Sequence, residues 1–273
     1  MKNLINLKNS KTILLSIIIL IGIFFRFYNY NLQDFWWDEL MEFTTVNPYL
    51  TLSETYQLAH SLTIGTHLEY DFATNANFYF YIFKFFLGLF SYTPGTARLI
   101  VVFFGIFVFL LSIYIYYKYI GKNLFVFSII IASNYYLIIQ SQEFKYNIFF
   151  CLIFLISILF FFMFIKNKDS KYKKLIKFLY FLSIFLTVWT HIFGFIIFFS
   201  QLLCLFIKER NILINNFFYY LSLPFLYFLV NFKQLLNFSK IEKFHIPELQ
   251  KEFFLDYNFK YFFGSNISGK IFL

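Results

Sequence analysis

Apolar residues in this chain come in long blocks rather than in alternation or on one helical stripe. The first block covers Ile13 to Phe25, and others lie at roughly 76–92, 97–117, 123–139, 146–165, 175–190, 192–207 and 216–230. Apolar runs of about 17–25 residues match the length of a helix that crosses a bilayer. The pattern therefore predicts an all-α, polytopic integral membrane protein. The residues between blocks are informative in their own right. Lys118 and Lys122 flank Gly121, six lysines (Lys166, Lys168, Lys171, Lys173, Lys174, Lys177) crowd the next gap, and Lys208 and Arg210 occupy a third. Short loops rich in Lys and Arg belong on the cytoplasmic side.

Parity then decides which blocks span. If all of them cross from a cytoplasmic N-terminus, the six-lysine loop falls outside. If 76–92 does not cross, every basic loop joins Lys2, Lys8 and Lys11 inside. That block, Phe78 to Phe90, is short and aromatic and carries Lys84, as a helix lying in the membrane interface would. The expectation is seven spans, with 31–96 as one external loop holding interfacial helices. No small-residue cleavage site follows the first block, so it is read as a retained first helix. Residues 1–230 form the predicted transmembrane domain. Residues 231–273 are mixed in character and read as an extramembrane or truncated segment.

Composition narrows the class. The 273 residues are 60% hydrophobic and 14% charged, with 47 Phe and 22 Tyr. A soluble domain carries roughly a quarter charged residues, and a disordered chain is far less apolar. The net charge of +9 is explained by the cytoplasmic loops, so no nucleic-acid partner is expected. Cys151 and Cys204 fall inside predicted spans and read as packing residues.

The external loop has chemistry of its own. From Asn31 to Thr74 it holds Asp34, Asp38, Glu39, Glu42, Glu54, Glu69 and Asp71 and no Lys or Arg. Within it, Asp34-Phe-Trp-Trp-Asp-Glu39 puts two tryptophans, which favour the headgroup belt, beside two carboxylates. One carboxylate could take a proton from a hydroxyl and the other could hold a divalent cation, through Asp38 or Glu39. Either could also simply cap the helix that follows. Two further motifs fall at external helix ends. Ser141-Gln-Glu-Phe-Lys-Tyr146 offers Glu143 and Lys145 to each other or to a phosphate. Thr190-His-Ile-Phe-Gly194 offers His191, with no second metal ligand at standard spacing. Glu143, Tyr146, His191 and Asp71 are candidate site-lining residues.

Taken in order, these motifs resemble those of the protein-mannosyltransferase-like family of GT-C glycosyltransferases (family 39 and its bacterial relatives). A helix ending Arg26-Phe-Tyr28 leads into Trp-Trp-Asp-Glu39. Then come Phe78-Tyr79, Thr93-Pro-Gly-Thr-Ala-Arg98, the stretch from Ala132 to Tyr146, and Trp189-Thr-His-Ile-Phe-Gly194. The likeness covers about residues 12–207. It implies a polyprenyl-phosphate-linked sugar donor and a lipid, glycan or protein acceptor, with the active site on the external face of the cell membrane. It also implies catalytic roles for Asp38 and Glu39, and donor-phosphate contacts from Lys145 and Arg98. The chain reads Asn75-Ala-Asn77 where relatives often have a His-Pro-Pro-like turn, and Lys145 where they often have Arg. It is also shorter than such enzymes usually are. Two other readings stand beside this one: a flippase of lipid-linked sugars, and a non-catalytic fragment of a longer enzyme. A flippase predicts ionisable residues near the membrane midplane, and the apolar blocks hold almost none.

Overall fold

The structure is a computed structural model that describes residues 2–32, 34–35, 37–60, 77–166, 171–191 and 193–238. Asp71, the remainder of 61–76 and the chain beyond 238 lie outside the described residues, as does the side chain of Asp38. Among the described residues every regular element is helical. In chain order these are α1 (Lys2–Phe27), α2 (Trp37–Thr45), α3 (Leu52–His60), α4 (Asn77–Leu89), α5 (Pro94–Ile115) and α6 (Leu124–Ser133). They continue with α7 (Tyr135–Gln140), α8 (Tyr146–Lys166), α9 (Lys173–Thr190), α10 (Gly194–Lys208), α11 (Arg210–Asn215) and α12 (Phe217–Phe238).

Local chemistry sets the boundaries that matter for the site. Thr93 caps α5 by accepting the Thr96 N–H at 3.2 Å, and Pro94 takes the first helical position, where its missing N–H costs nothing. The helix continues as a π-helical turn over Tyr116–Ile120 and stops at Gly121, whose φ of 75° suits glycine. The block predicted as one span at 123–139 is broken in two at Asn134. Asn134 leaves the helical conformation, and its Oδ1 accepts the Leu137 N–H at 2.9 Å to start α7.

Among the described residues two helices are long and apolar enough to cross a membrane, Pro94–Ile120 and Tyr146–Lys166. Shorter apolar helical stretches, such as Leu124–Ser133 and Gly194–Lys208, run 10–17 residues. The surface carries large apolar side chains on many helices. Ile13, Leu20, Phe107, Ile130, Phe178 and Leu203 are each more than half exposed. An aqueous fold keeps contiguous apolar surface small, so this surface suits hydrocarbon.

Among the described residues packing divides into three cores. The first joins Phe43 of α2, Val46 just after it, Tyr79, Phe83 and Leu87 of α4, Val101 of α5, Phe144, and Ile148 of α8. The second joins α8, α9, α10 and α12 around Tyr180, Ile184 and Phe198. A smaller one seats Ile18 of α1 against Phe109 of α5 and Ala132 of α6. Helix α4 is 13 residues, or about 20 Å long, against a hydrocarbon core of about 30 Å. Its Lys84 donates to the carbonyls of Asn47 and Leu50. The charge that looked interfacial in the sequence thus fastens the turn after α2 onto α4. In the same loop, Thr51 and Glu54 make a reciprocal capping box for α3, and those bonds from Thr51 hold the Glu54 carboxyl below its usual range.

Candidate functional site

The first turn of α2 carries Asp38 and Glu39. Glu39 is fully buried and pairs with Arg98 of α5, itself 3% exposed. Arg98 Nε donates to Glu39 Oε1 at 3.1 Å and Nη2 donates to Oε2 at 2.8 Å, a two-pronged geometry that fixes both orientation and distance. The same guanidinium donates to the Asp34 carbonyl at 2.9 Å and lies 4.9 Å from the Phe35 ring centre. Glu39 Oε1 also accepts the Phe144 N–H at 2.6 Å. One carboxylate therefore ties together the Trp-Trp-Asp-Glu motif, the start of α5 and the turn between α7 and α8.

That turn is held closely against α5. A β-carbon at Gly105 would overlap the Ser141 side chain, so glycine is what lets the two segments meet. Beyond Phe144, Lys145 lies 3.8 Å from Glu143, each about a quarter exposed. Tyr146 opens α8 and meets His191 from the end of α9. Their rings are 5.3 Å apart and nearly parallel, with Tyr146 Oη 3.4 Å from His191 Nε2. The Phe193 N–H donates to His191 Nδ1 at 3.1 Å. This bond assigns the neutral ring's proton to Nε2, which then donates to Tyr146. Burial holds the imidazole below its ordinary value of 6.5, so at neutral pH it is uncharged.

No family model, curated protein or solved structure matches this chain. The functional reading therefore rests on the sequence motifs and on this geometry.

Of the residues singled out in the sequence, Glu39, Arg98 and the 143–146 turn come together directly, and Tyr146 and His191 form a second contact beside them. Asp38 sits in the same helical turn as Glu39. Glu39 and Arg98 were expected in a catalytic and a phosphate-binding role. The structure engages each with the other, away from solvent, so both act as a clamp on α2. Both Glu39 oxygens accept from Arg98, and Oε1 accepts from the Phe144 N–H as well. Among the described residues no three His, Cys, Asp or Glu side chains gather as metal ligands.

Sequence reasoning overlooked Glu42 and Tyr79. The Tyr79 hydroxyl is hydrogen-bonded to Glu42, and burial, with the Glu42 charge adding to it, pushes that hydroxyl well above its usual range. The Tyr79 ring lies 5.4 Å from that of Tyr146. The signal was present in the spacing: Glu42 follows Asp38 by four residues, one helical turn on the same face.

Proposed function

We propose that the chain is a membrane glycosyltransferase that moves a sugar from a polyprenyl-phosphate carrier to an acceptor on the non-cytoplasmic side. The observation that carries this reading is the Glu39–Arg98 clamp with its Phe144 contact. It brings three motifs of the family likeness, distant in sequence, to one place and holds Asp38 there with Lys145 close along the chain. In the proposed reaction, Asp38 takes the proton of an acceptor hydroxyl. That oxygen attacks the anomeric carbon, and the bond from this carbon to the phosphate oxygen breaks. The polyprenyl phosphate leaves as an anion and needs a nearby cation more than a proton donor, a role that falls to Lys145. Tyr146, accepting from His191, keeps its own O–H free to donate to a substrate oxygen.

Membranes that contain the chain, supplied with radiolabelled polyprenyl-phosphate sugars, should transfer label to an endogenous acceptor. Transfer no higher than in membranes lacking the chain would sink the reading. In the same assay Lys145→Ala should raise the donor KM by about 10- to 100-fold, the worth of one charge-assisted hydrogen bond. Lys145→Arg should largely keep wild-type affinity, since it restores the charge with a forked donor. Equal donor KM in wild type and the Ala variant would remove Lys145 from the site.

The reading includes seven spans with the N-terminus and the six-lysine loop in the cytoplasm. Single cysteines placed at Ser53 and Ser170, with Cys151 and Cys204 replaced, should react differently with an impermeant thiol reagent in intact cells. Labelling is expected at 53 alone. Labelling at 170 without 53 would reverse the topology.

A further inference from the structure

A cavity of about 870 Å³ lies between the end of α1, α7 and the 141–143 turn, within the roughly 300–1,000 Å³ of ordinary ligand sites. The other cavities described, such as those along α10 and α12 or between α5 and α8, are lined almost wholly by apolar side chains. This one is different. Phe25, Ile138 and Ile139 form an apolar wall, the rings of Tyr28, Tyr30 and Tyr135 face it, and Asn29 and Gln142 add amides.

The cavity is built by fasteners and so is pre-formed. Gln142 Nε2 donates to the carbonyls of Phe25 and Tyr28, both at 2.9 Å, and so ties the turn to the end of α1. Below it the fully buried Arg26 donates to Gly22 O at 2.7 Å and to Ile131 O at 3.4 Å, joining α1 to the end of α6. At Ile131 the cation meets the negative C-terminal end of α6. Asn29 holds a φ of 62°, a region that non-glycine residues rarely adopt, and this places its side chain at the cavity.

The chemistry on offer is neutral. Two charged residues reach the lining, Arg98 and Glu143, and each is engaged by an opposite charge, Glu39 and Lys145 respectively. Five polar groups there make no hydrogen bond among the described residues: the Asn29 amide, Gln142 Oε1 and the hydroxyls of Tyr28, Tyr30 and Tyr135. They include donors and acceptors, set among aromatic faces. A phosphate would find no uncommitted cation here. A ring of hydroxyl groups, with an apolar C–H face and alternating donors and acceptors, matches the cavity on each count.

We infer that this cavity binds an uncharged saccharide and that, on the transferase reading above, it holds the acceptor sugar. The acceptor is then a glycan, either free or as a lipid headgroup, and the donor phosphate sits elsewhere.

The test uses the full chain in phosphatidylcholine nanodiscs and saturation-transfer-difference NMR, with irradiation at the protein's aromatic frequencies. Methyl α-D-mannopyranoside serves as the free probe and octyl β-D-glucopyranoside, partitioned into the disc, as the anchored one. Ring-proton signals are expected from at least one probe. A signal from the free sugar marks a soluble glycan, and one from the anchored probe alone marks a glycolipid. Asn29→Gly, which suits the left-handed backbone, and Tyr135→Phe, which keeps the ring, should each weaken binding about threefold to tenfold, one hydrogen bond's worth. Inorganic phosphate at equal concentration should leave the signal unchanged. Silence in both arms, wild-type affinity in both variants, or displacement by phosphate would overturn the inference. Because the measurement needs no turnover, sugar binding without any transfer would keep this site and defeat the enzyme reading. Transfer without sugar binding would do the reverse.

Discussion

Replacing Asp38 with Asn is expected to lower sugar transfer at saturating donor by roughly 10²–10⁴-fold, the range typical of removing a general base. Asn has nearly the same size and shape as Asp but does not accept a proton at neutral pH, so the change separates chemistry from packing. Asp38 lies in the first turn of α2, and its neighbour Glu39 already anchors that turn through Arg98. Loss of the Asp38 charge should therefore leave expression and membrane insertion near normal. Glu54 belongs to the same stretch between α1 and α4 but is committed to capping α3. Glu54→Gln keeps a capping-box residue and serves as the control, expected to be near neutral. An Asp38→Asn protein that transfers at the wild-type rate would overturn the assignment of the base.

Breaking the Glu39–Arg98 clamp should have the largest effect on stability. Glu39→Gln leaves a buried guanidinium without its counter-charge, and removing one partner of a buried ion pair costs about 3–5 kcal/mol. Arg98→Met strands the carboxylate to a similar extent. Titration of the folded protein with sodium dodecyl sulfate, followed by tryptophan fluorescence, should show both variants unfolding well before wild type. The double variant Glu39→Leu/Arg98→Met removes both charges, so it should recover part of the loss. Recovery stays incomplete because the Phe144 N–H, which donates to Glu39, would then have no acceptor, a further cost of about 1–3 kcal/mol. A Glu39→Gln protein within 1 kcal/mol of wild type would mean that the pair contributes no more than a surface salt bridge.

The two substitutions also separate residues that look equivalent in sequence. Asp38 and Glu39 are adjacent acids in one motif, and nothing local distinguishes a base from a strut. Adjacent helical residues point about 100° apart, so one can face the core while the other does not. Which of them faces inward depends on where Arg98, 59 positions later, arrives. Arg98 itself is legible as a charge near the start of a helix, because Thr93 and Pro94 mark that start. Its partner is not legible, since an Arg at a membrane surface suits a lipid phosphate as well as a carboxylate. Lys84 shows the same limit. Its charge within an aromatic block placed α4 at the interface, but its bonds to Asn47 and Leu50 arise only from the way the loop folds back.

The sequence by itself determined what depends on composition and on short range. Apolar blocks longer than polar gaps made the protein helical, Thr93, Pro94 and Gly121 set the limits of α5 and its π-helical turn, and the Thr51–Glu54 spacing capped α3. These outcomes follow from hydrophobic burial and from backbone groups satisfied within a few residues. The tertiary structure decided what depends on the meeting of distant segments. It broke the 123–139 block at Asn134, since Asn134 can leave one helix and cap the next. It turned Glu39 and Arg98 into a strut, brought Glu42 and Tyr79 beside Tyr146 and His191, and used Gln142 and Arg26 to close a cavity at the end of α1. The physical reason is that buried charges and unpaired carbonyls must find partners somewhere in the fold. Sequence spacing does not say which of several chemically suitable partners will be within reach.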